Sequence, residues 1–176
     1  MARLNWDKIY EKVIVTVYAI CKNERLHVER WLNSFGTADY VCVLDTGSTD
    51  GTWEYLQEQA KIRDNIIIQQ KVIIPWRYDE GRNESLKLVP KETVMYFMAD
   101  LDEYIKDPNW VEIVRHSWNP AFSRGRFTYH RIIDPVGGIA LKTIYEFRIH
   151  NKKWNKYENI VHEHLIDDCG NAVFFT

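Results

Sequence analysis

Hydrophobic positions along the chain follow first one period and then another. Residues 13–20 (VIVTVYAI) form a β-branched run unbroken by charge, which predicts a strand buried on both faces, as in a parallel sheet. Val28, Trp31, Leu32 and Phe35 then repeat at i, i+3, i+4 and i+7, the spacing of one helix face, and Gly36 stands where a helix stop belongs. Residues 40–44 (YVCVL) predict a second buried strand, which runs into DTGSTDGT (45–52), a dense loop of turn formers. Trp53, Leu56 and Ala60 return to helical spacing, and a third strand lies within 65–74. A helix beginning near 80–83 is expected to bury Leu86 and Val89. Residues 93–98 (TVMYFM) predict a fourth strand leading directly into Asp100-Leu101-Asp102-Glu103. Asp107 and Pro108 predict a helix start, Asp as the cap and Pro at the first helical position, ahead of Trp110, Val111 and Val114 on one face.

Beyond this point the pattern becomes strand-rich. Residues 124–133 and 144–150 read as two strands joined through Pro135-Val136-Gly137-Gly138, and residues 154–166 are aromatic and rich in histidine. The expected fold class is α/β: a mostly parallel central sheet flanked by helices, with added antiparallel strands in the C-terminal third. A length of 176 residues fits one domain with a sizeable core.

Composition removes several alternatives. A net charge of −2 with interspersed signs argues against a nucleic-acid-binding surface. Three cysteines without a CxxC pair argue against a disulfide framework and for a reducing compartment. The polar, charged residues 1–12 do not read as a signal peptide, and the apolar run 13–21 is shorter than the roughly 20 residues of a membrane span. A cytoplasmic protein is expected, with peripheral membrane association left open. Seven tryptophans supply aromatic surface for a core or for a sugar-binding cleft.

Ligands of open α/β sheets bind beyond the carboxyl ends of the strands. Three predicted strands end there in polar groups: Ile20-Cys21-Lys22-Asn23, Asp45, and the pair Asp100 and Asp102. Two neighbouring carboxylates repel each other, and a divalent cation removes that repulsion while bridging to phosphate oxygens. His162-Glu163-His164 forms a second cluster, in which extended backbone would place both histidines on one side. Imidazole suits a transition ion such as manganese, and the spacing is not that of a HExxH zinc site. Arg82 is a candidate for stacking on or bonding to a base. Phosphate loops of the GxGxxG and Walker types and the GxSxG elbow are absent from the sequence.

The ordered segments ICKNE (20–24), VCVLDTGSTDGT (41–52), RNE (82–84), MADLDE (98–103) and VHEHL (161–165) resemble family 2 glycosyltransferases of the GT-A fold, over most of the chain. The chain is short for that family, as a virus-encoded enzyme or an excised domain would be. The resemblance implies a single GT-A domain over 1–176, its nucleotide-binding half at about 13–103 and an acceptor- and metal-completing part at about 104–176. It implies a hexosyltransferase that uses a nucleotide-diphosphate sugar, UDP-sugar favoured, with Mn²⁺ or Mg²⁺. The acceptor would be a glycan, a lipid-linked molecule or a protein. Ile20 would meet the base through its backbone, Asp45 would accept from the base, and Arg82 would lie against it. Asp100 would hold ribose and reach the metal, with Leu101 beside it. Asp102 would be the main metal ligand, completed by His162 or His164.

Inversion in one displacement requires a base for the acceptor hydroxyl. The family's ED-type motif has no clear copy in this sequence. Glu163 is the first candidate and Asp134 the second, followed by Glu146 and the Asp167-Asp168 pair. Two other classes remain: a nucleotidyltransferase, disfavoured by the glycine-free loop Cys21-Lys22-Asn23-Glu24, and a binding module without turnover, disfavoured by the intact acidic pair.

Overall fold

The structure is a computed structural model describing residues 13–119, 124–133, 140–167 and 172–174. A six-stranded sheet runs in the order β3-β2-β1-β4-β6-β5. Its strands are β1 (Val15–Cys21), β2 (Tyr40–Asp45), β3 (Ile66–Gln70), β4 (Met95–Met98), β5 (Arg124–Ile133) and β6 (Ala140–His150). The first four are mutually parallel, and β6 turns antiparallel to β4 and β5. A second sheet, β7 (Trp154–Glu158), β8 (His164–Asp167) and β9 (Ala172–Phe174), is antiparallel. The helices are α1 (Val28–Phe35), α2 (Thr52–Ile62), α3 (Tyr78–Leu86) and α4 (Trp110–Ser117).

Strand alternation divides β1 between two cores. Val15, Val17, Ala19 and Cys21 face a core completed by α1, Leu56 of α2, and Trp110, Val111 and Val114 of α4. The apolar face read from 28–35 is the one buried there. Phe35 is its hub, with ring centroids 5.2 Å from Trp31, 5.4 Å from Phe97 and 5.8 Å from Trp110. Truncating such a side chain costs about 3–5 kcal/mol.

Tyr18 faces the other core, with Cys42, Met98, Trp154, Tyr157 and Leu165. A buried polar chain crosses it. The Nδ1 of His150 lies 3.0 Å from the Asn151 carbonyl, so that nitrogen carries the proton and Nε2 accepts. Tyr18 therefore donates its hydroxyl to Nε2 at 2.8 Å, and Tyr157 donates to the Tyr18 oxygen at 2.6 Å. Every group is satisfied, and the chain ties β1 and β6 to β7. Burial pushes the His150 pKa down to about 4, so the ring is neutral at pH 7.

Two local expectations are corrected. The helix after Pro108 begins at Trp110 with Asn109 as its cap. Asp107 uses its side chain on a preceding turn, where Oδ1 accepts from the Asn109 N–H at 2.9 Å. The helix expected near 80–83 begins at Tyr78, because the Tyr78 N–H is already held by the Ile160 carbonyl at 3.1 Å.

Candidate functional site

The strand order reverses between β1 and β4, so the crevice at their carboxyl ends is the topological switch point. A cleft of about 560 Å³ opens there. One wall is the end of β1 (Ile20, Cys21, Lys22, Glu24) with Thr46, and another is the segment carrying Ile73, Trp76 and Tyr78. Arg82 and the acidic turn Asp100-Leu101-Asp102 complete it.

The loops after β1 and β2 form one wall because their polar groups satisfy each other. Ser48 Oγ accepts from the Asn23 N–H at 2.8 Å, and Asn23 Oδ1 accepts from the Thr49 N–H at 2.8 Å. Thr52 Oγ1 accepts from the Glu24 N–H at 2.8 Å, while Asp50 holds the Arg25 and Thr52 N–H groups, both at 3.0 Å. Gly47 (φ 104°) and Gly51 (φ 93°) occupy left-handed backbone that a side chain would strain. These contacts are the physical content of the DTGSTDGT loop.

Asp45 is fully buried and serves that loop. Its Oδ1 accepts from the Gly47 N–H, the Ser48 N–H and Gln70 Nε2, each at 2.9 Å, and Oδ2 accepts from the Cys21 thiol at 3.6 Å. Burial alone would raise its pKa, but the Ser48, Gln70 and Gly47 donors outweigh burial and hold the carboxyl below the usual range. These four bonds shape the wall; none reaches into the cleft.

Arg82 is buried in the body of α3 rather than at its start. Its Nη2 donates to Asp100 Oδ1 at 2.6 Å and its Nε to Glu163 Oε1 at 3.2 Å. Burial alone would lower its pKa, but Asp100, Tyr157 and Glu163 outweigh burial and keep the guanidinium charged. Arg148 on β6 completes the network, lying 3.5 Å from Asp100 Oδ2 and donating to Glu103 Oε1 at 2.6 Å. Burial would raise the Asp100 pKa; Arg82 and Arg148 hold it below the usual range instead. Glu103 in turn accepts the Asp100 N–H at 3.1 Å, fixing the turn.

The sequence pattern named Arg82, Asp100 and Glu163 as candidates but not their mutual contact, and it gave no role to Arg148 or Glu103. Asp102 is exposed, and its carbonyl accepts from Arg30 at 2.8 Å. His162 is exposed with φ 56°, in the bend before β8. The extended backbone that would align it with His164 is therefore not formed, since the chain must turn between β7 and β8. His164 opens β8, and its side chain lies outside the described residues, as do Asp134 and the side chain of Glu146.

Comparison with solved structures decides the fold. The chain is similar to a Staphylococcus aureus TarS fragment, residues 1–349 (TM-score 0.50, 22% identity, 58% of this chain and 31% of that one). It is also similar to the mannosyltransferase PcManGT of Pyrobaculum calidifontis, solved with GDP-Man and Mn²⁺ (TM-score 0.54, 19% identity, 63% and 34%). This is a GT-A fold. The chain thus spans about a third of the length of those two proteins. The chain is similar as well to the 4-diphosphocytidyl-2C-methyl-D-erythritol synthase of Anaerococcus prevotii (TM-score 0.53, 12% identity, 83% and 73%). No protein-family model matches the chain, and no curated protein matches it.

Among the described residues no group of three or more His, Cys, Asp or Glu side chains is gathered to hold an ion. Mg²⁺ typically takes one or two carboxylates and fills its remaining positions with water and substrate phosphates. Asp102 lines the cleft and is exposed, whereas the two carboxylate oxygens of Asp100 face Arg82 and Arg148, so Asp102 is the carboxylate of this turn turned toward such an ion. No helix among the described residues is long and apolar enough to cross a membrane.

Proposed function

We propose that residues 1–176 form a glycosyltransferase domain that moves a hexose from a nucleotide-diphosphate sugar to an acceptor hydroxyl with inversion. The carrying observation is the acidic turn at the end of β4, placed at the switch point of a GT-A sheet and open to a cleft of about 560 Å³. UDP-sugar is the favoured donor on the family resemblance, and the Mn²⁺ and GDP-Man bound to PcManGT support a cation and a nucleotide sugar in such a cleft. The acceptor is a glycan, a lipid-linked molecule or a protein.

Asp102 and Asp100 would hold Mn²⁺ or Mg²⁺, with His162 or His164 as the further ligand. Such an ion would offset the charge that grows on the departing diphosphate. The chain's own groups do the rest. Arg82 and Arg148 orient Asp100, Glu103 fixes its turn, and the stitched loops shape the donor wall. Glu163, joined to Asp100 through Arg82, is the leading acceptor base, with Asp134 second.

The likeness to the A. prevotii synthase favours a second reading, a nucleotidyltransferase. A glycine-free loop at 22–24 counts against it, because a triphosphate cradle needs close backbone approach. Incubation with UDP-sugars or with nucleoside triphosphates, both with Mn²⁺, separates the two. Release of UDP with sugar transfer supports the first; release of pyrophosphate from a triphosphate supports the second.

A further inference from the structure

We infer that the exposed face of the β5–β6 hairpin is the acceptor surface and that the acceptor it takes is an acidic oligosaccharide. This rests on the glycosyltransferase reading of the cleft and narrows the acceptor from the three classes that reading leaves open.

Two arginines stand on this face without an acid. Arg126 is in register with Phe147, Thr128 with Tyr145 and His130 with Thr143, so these residues share one side of the hairpin. His130 Nδ1 accordingly lies 3.1 Å from Thr143 Oγ1. The Arg124 guanidinium lies 4.7 Å from the ring centroids of both Phe147 and Trp154. The Arg126 guanidinium lies 5.4 Å from the Phe147 centroid and 5.9 Å from that of Tyr145. Both arginines are exposed, and among the described residues neither is paired with a carboxylate. Contact with a ring leaves the N–H fork of a guanidinium available to an anion. Two like charges beside one ring, Phe147, also repel each other, and an anion set between them replaces that repulsion with attraction.

The face begins where the acidic turn is held. β6 runs antiparallel to β4 with Ile149 opposite Phe97, so Phe147, Tyr145 and Thr143 continue past Met98, the last residue of β4. Arg148, next in the chain to Phe147, is the residue that contacts Asp100 and Glu103. Phe147 packs against the core of Tyr157 and Trp154, as does Leu86 of α3, which puts the face on the side of the sheet that carries Arg82 and Glu163. At about 3.4 Å per residue, β6 carries it roughly 15 Å outward from Arg148 to Thr143.

Ring and charge together choose the partner. Tyr145 is 69% exposed and offers an apolar ring face with a polar tip, which suits the C–H face of a sugar. The arginines beside it suit carboxylates, which they can hold in a fork. A neutral glycan would leave both cations unmet. A nucleic acid calls for a broader basic field than a chain of net charge −2 with interspersed signs presents.

The test is calorimetric titration of hexagalacturonate and of its neutral methyl ester into wild type, Arg124→Gln, Arg126→Gln and Tyr145→Ala, with UDP and Mn²⁺ titrated into wild type separately. Wild type is expected to bind the acid about tenfold or more tighter than the ester, and each arginine variant to lose about tenfold of the affinity for the acid. Added salt weakens the acid and spares the ester. Tyr145→Ala weakens both. If wild type binds UDP but binds acid and ester equally, or binds neither sugar, the inference is overturned and the donor cleft stands. Wild-type affinity for the acid in both arginine variants overturns it as well. So does tighter binding of a hexameric oligonucleotide or of phosphatidylserine vesicles, which assigns the face to those anions. Hexagalacturonate binding in a wild type that ignores UDP keeps the face and overturns the donor reading; binding of neither overturns both.

Discussion

Arg82 donates from Nη2 to Oδ1 of Asp100 at 2.6 Å, linking the body of α3 to the turn that ends β4. The same guanidinium reaches Glu163, so one buried cation sets the positions of two carboxylates from distant parts of the chain. Removing it leaves Glu163 without this partner and Asp100 with Arg148 alone. Arg82→Ala is expected to cost about 1–3 kcal/mol, because Glu163 is left without its partner while Asp100 is partly exposed and keeps Arg148. Arg82→Lys recovers little of it, because a single ammonium cannot donate along both directions of the planar fork. Urea unfolding midpoints report this directly, and an unchanged midpoint in Arg82→Ala would remove the structural role of the pair.

His150 gives the protein an acid-sensitive window. Its folded pKa of about 4 lies below the ordinary value of 6.5, so between the two the unfolded chain binds the extra proton. Stability is therefore full above about pH 6.5 and falls as pH drops toward about 4, by roughly 3 kcal/mol. His150→Gln keeps an acceptor for Tyr18 and removes the titration. Its unfolding free energy should be flatter than that of wild type between pH 6.5 and 4; parallel curves for the two proteins would exclude His150 as the source.

Asp102→Ala tests the metal assignment with little structural cost. The side chain is exposed, and Arg30 bonds the carbonyl rather than the carboxylate, so stability should change by no more than about 0.5 kcal/mol. Mn²⁺-dependent strengthening of UDP binding should vanish. Calorimetry with and without chelator measures it, and a mutant that keeps the wild-type metal effect would place the ion elsewhere.

The fold could be read from the sequence because β1, β2 and β4 are buried on both faces and α1 and α4 on one. Residues 40–44 and 93–98 have few other places to go, and the stripe of Val28, Trp31, Leu32 and Phe35 has one buried solution. The place of Asp100 and Asp102, just past the end of β4, was legible for the same reason, as charges abutting a strand that must be buried. The Arg148–Glu103 contact was not. It joins residues 45 positions apart, and its local signal, an arginine between Phe147 and Ile149, is equally that of a surface strand. His162 misled because an HEH triplet suggests a strand, whereas the hairpin bends before it can begin.

The acceptor base provides the last prediction. Glu163 is mostly buried and accepts from Arg82 Nε at 3.2 Å, which places it one guanidinium away from Asp100. Glu163→Gln preserves an oxygen for that bond, so fold and UDP affinity should be retained while proton removal from the acceptor is lost. General-base contributions of this kind are about 10²–10⁴-fold, so kcat should fall by that amount. Asp134→Asn, measured in parallel, should leave kcat near wild type if Glu163 is the base. A large loss in Asp134→Asn with wild-type turnover in Glu163→Gln would exchange the two assignments. Undiminished rates in both would move the base to Glu146 or to the Asp167-Asp168 pair.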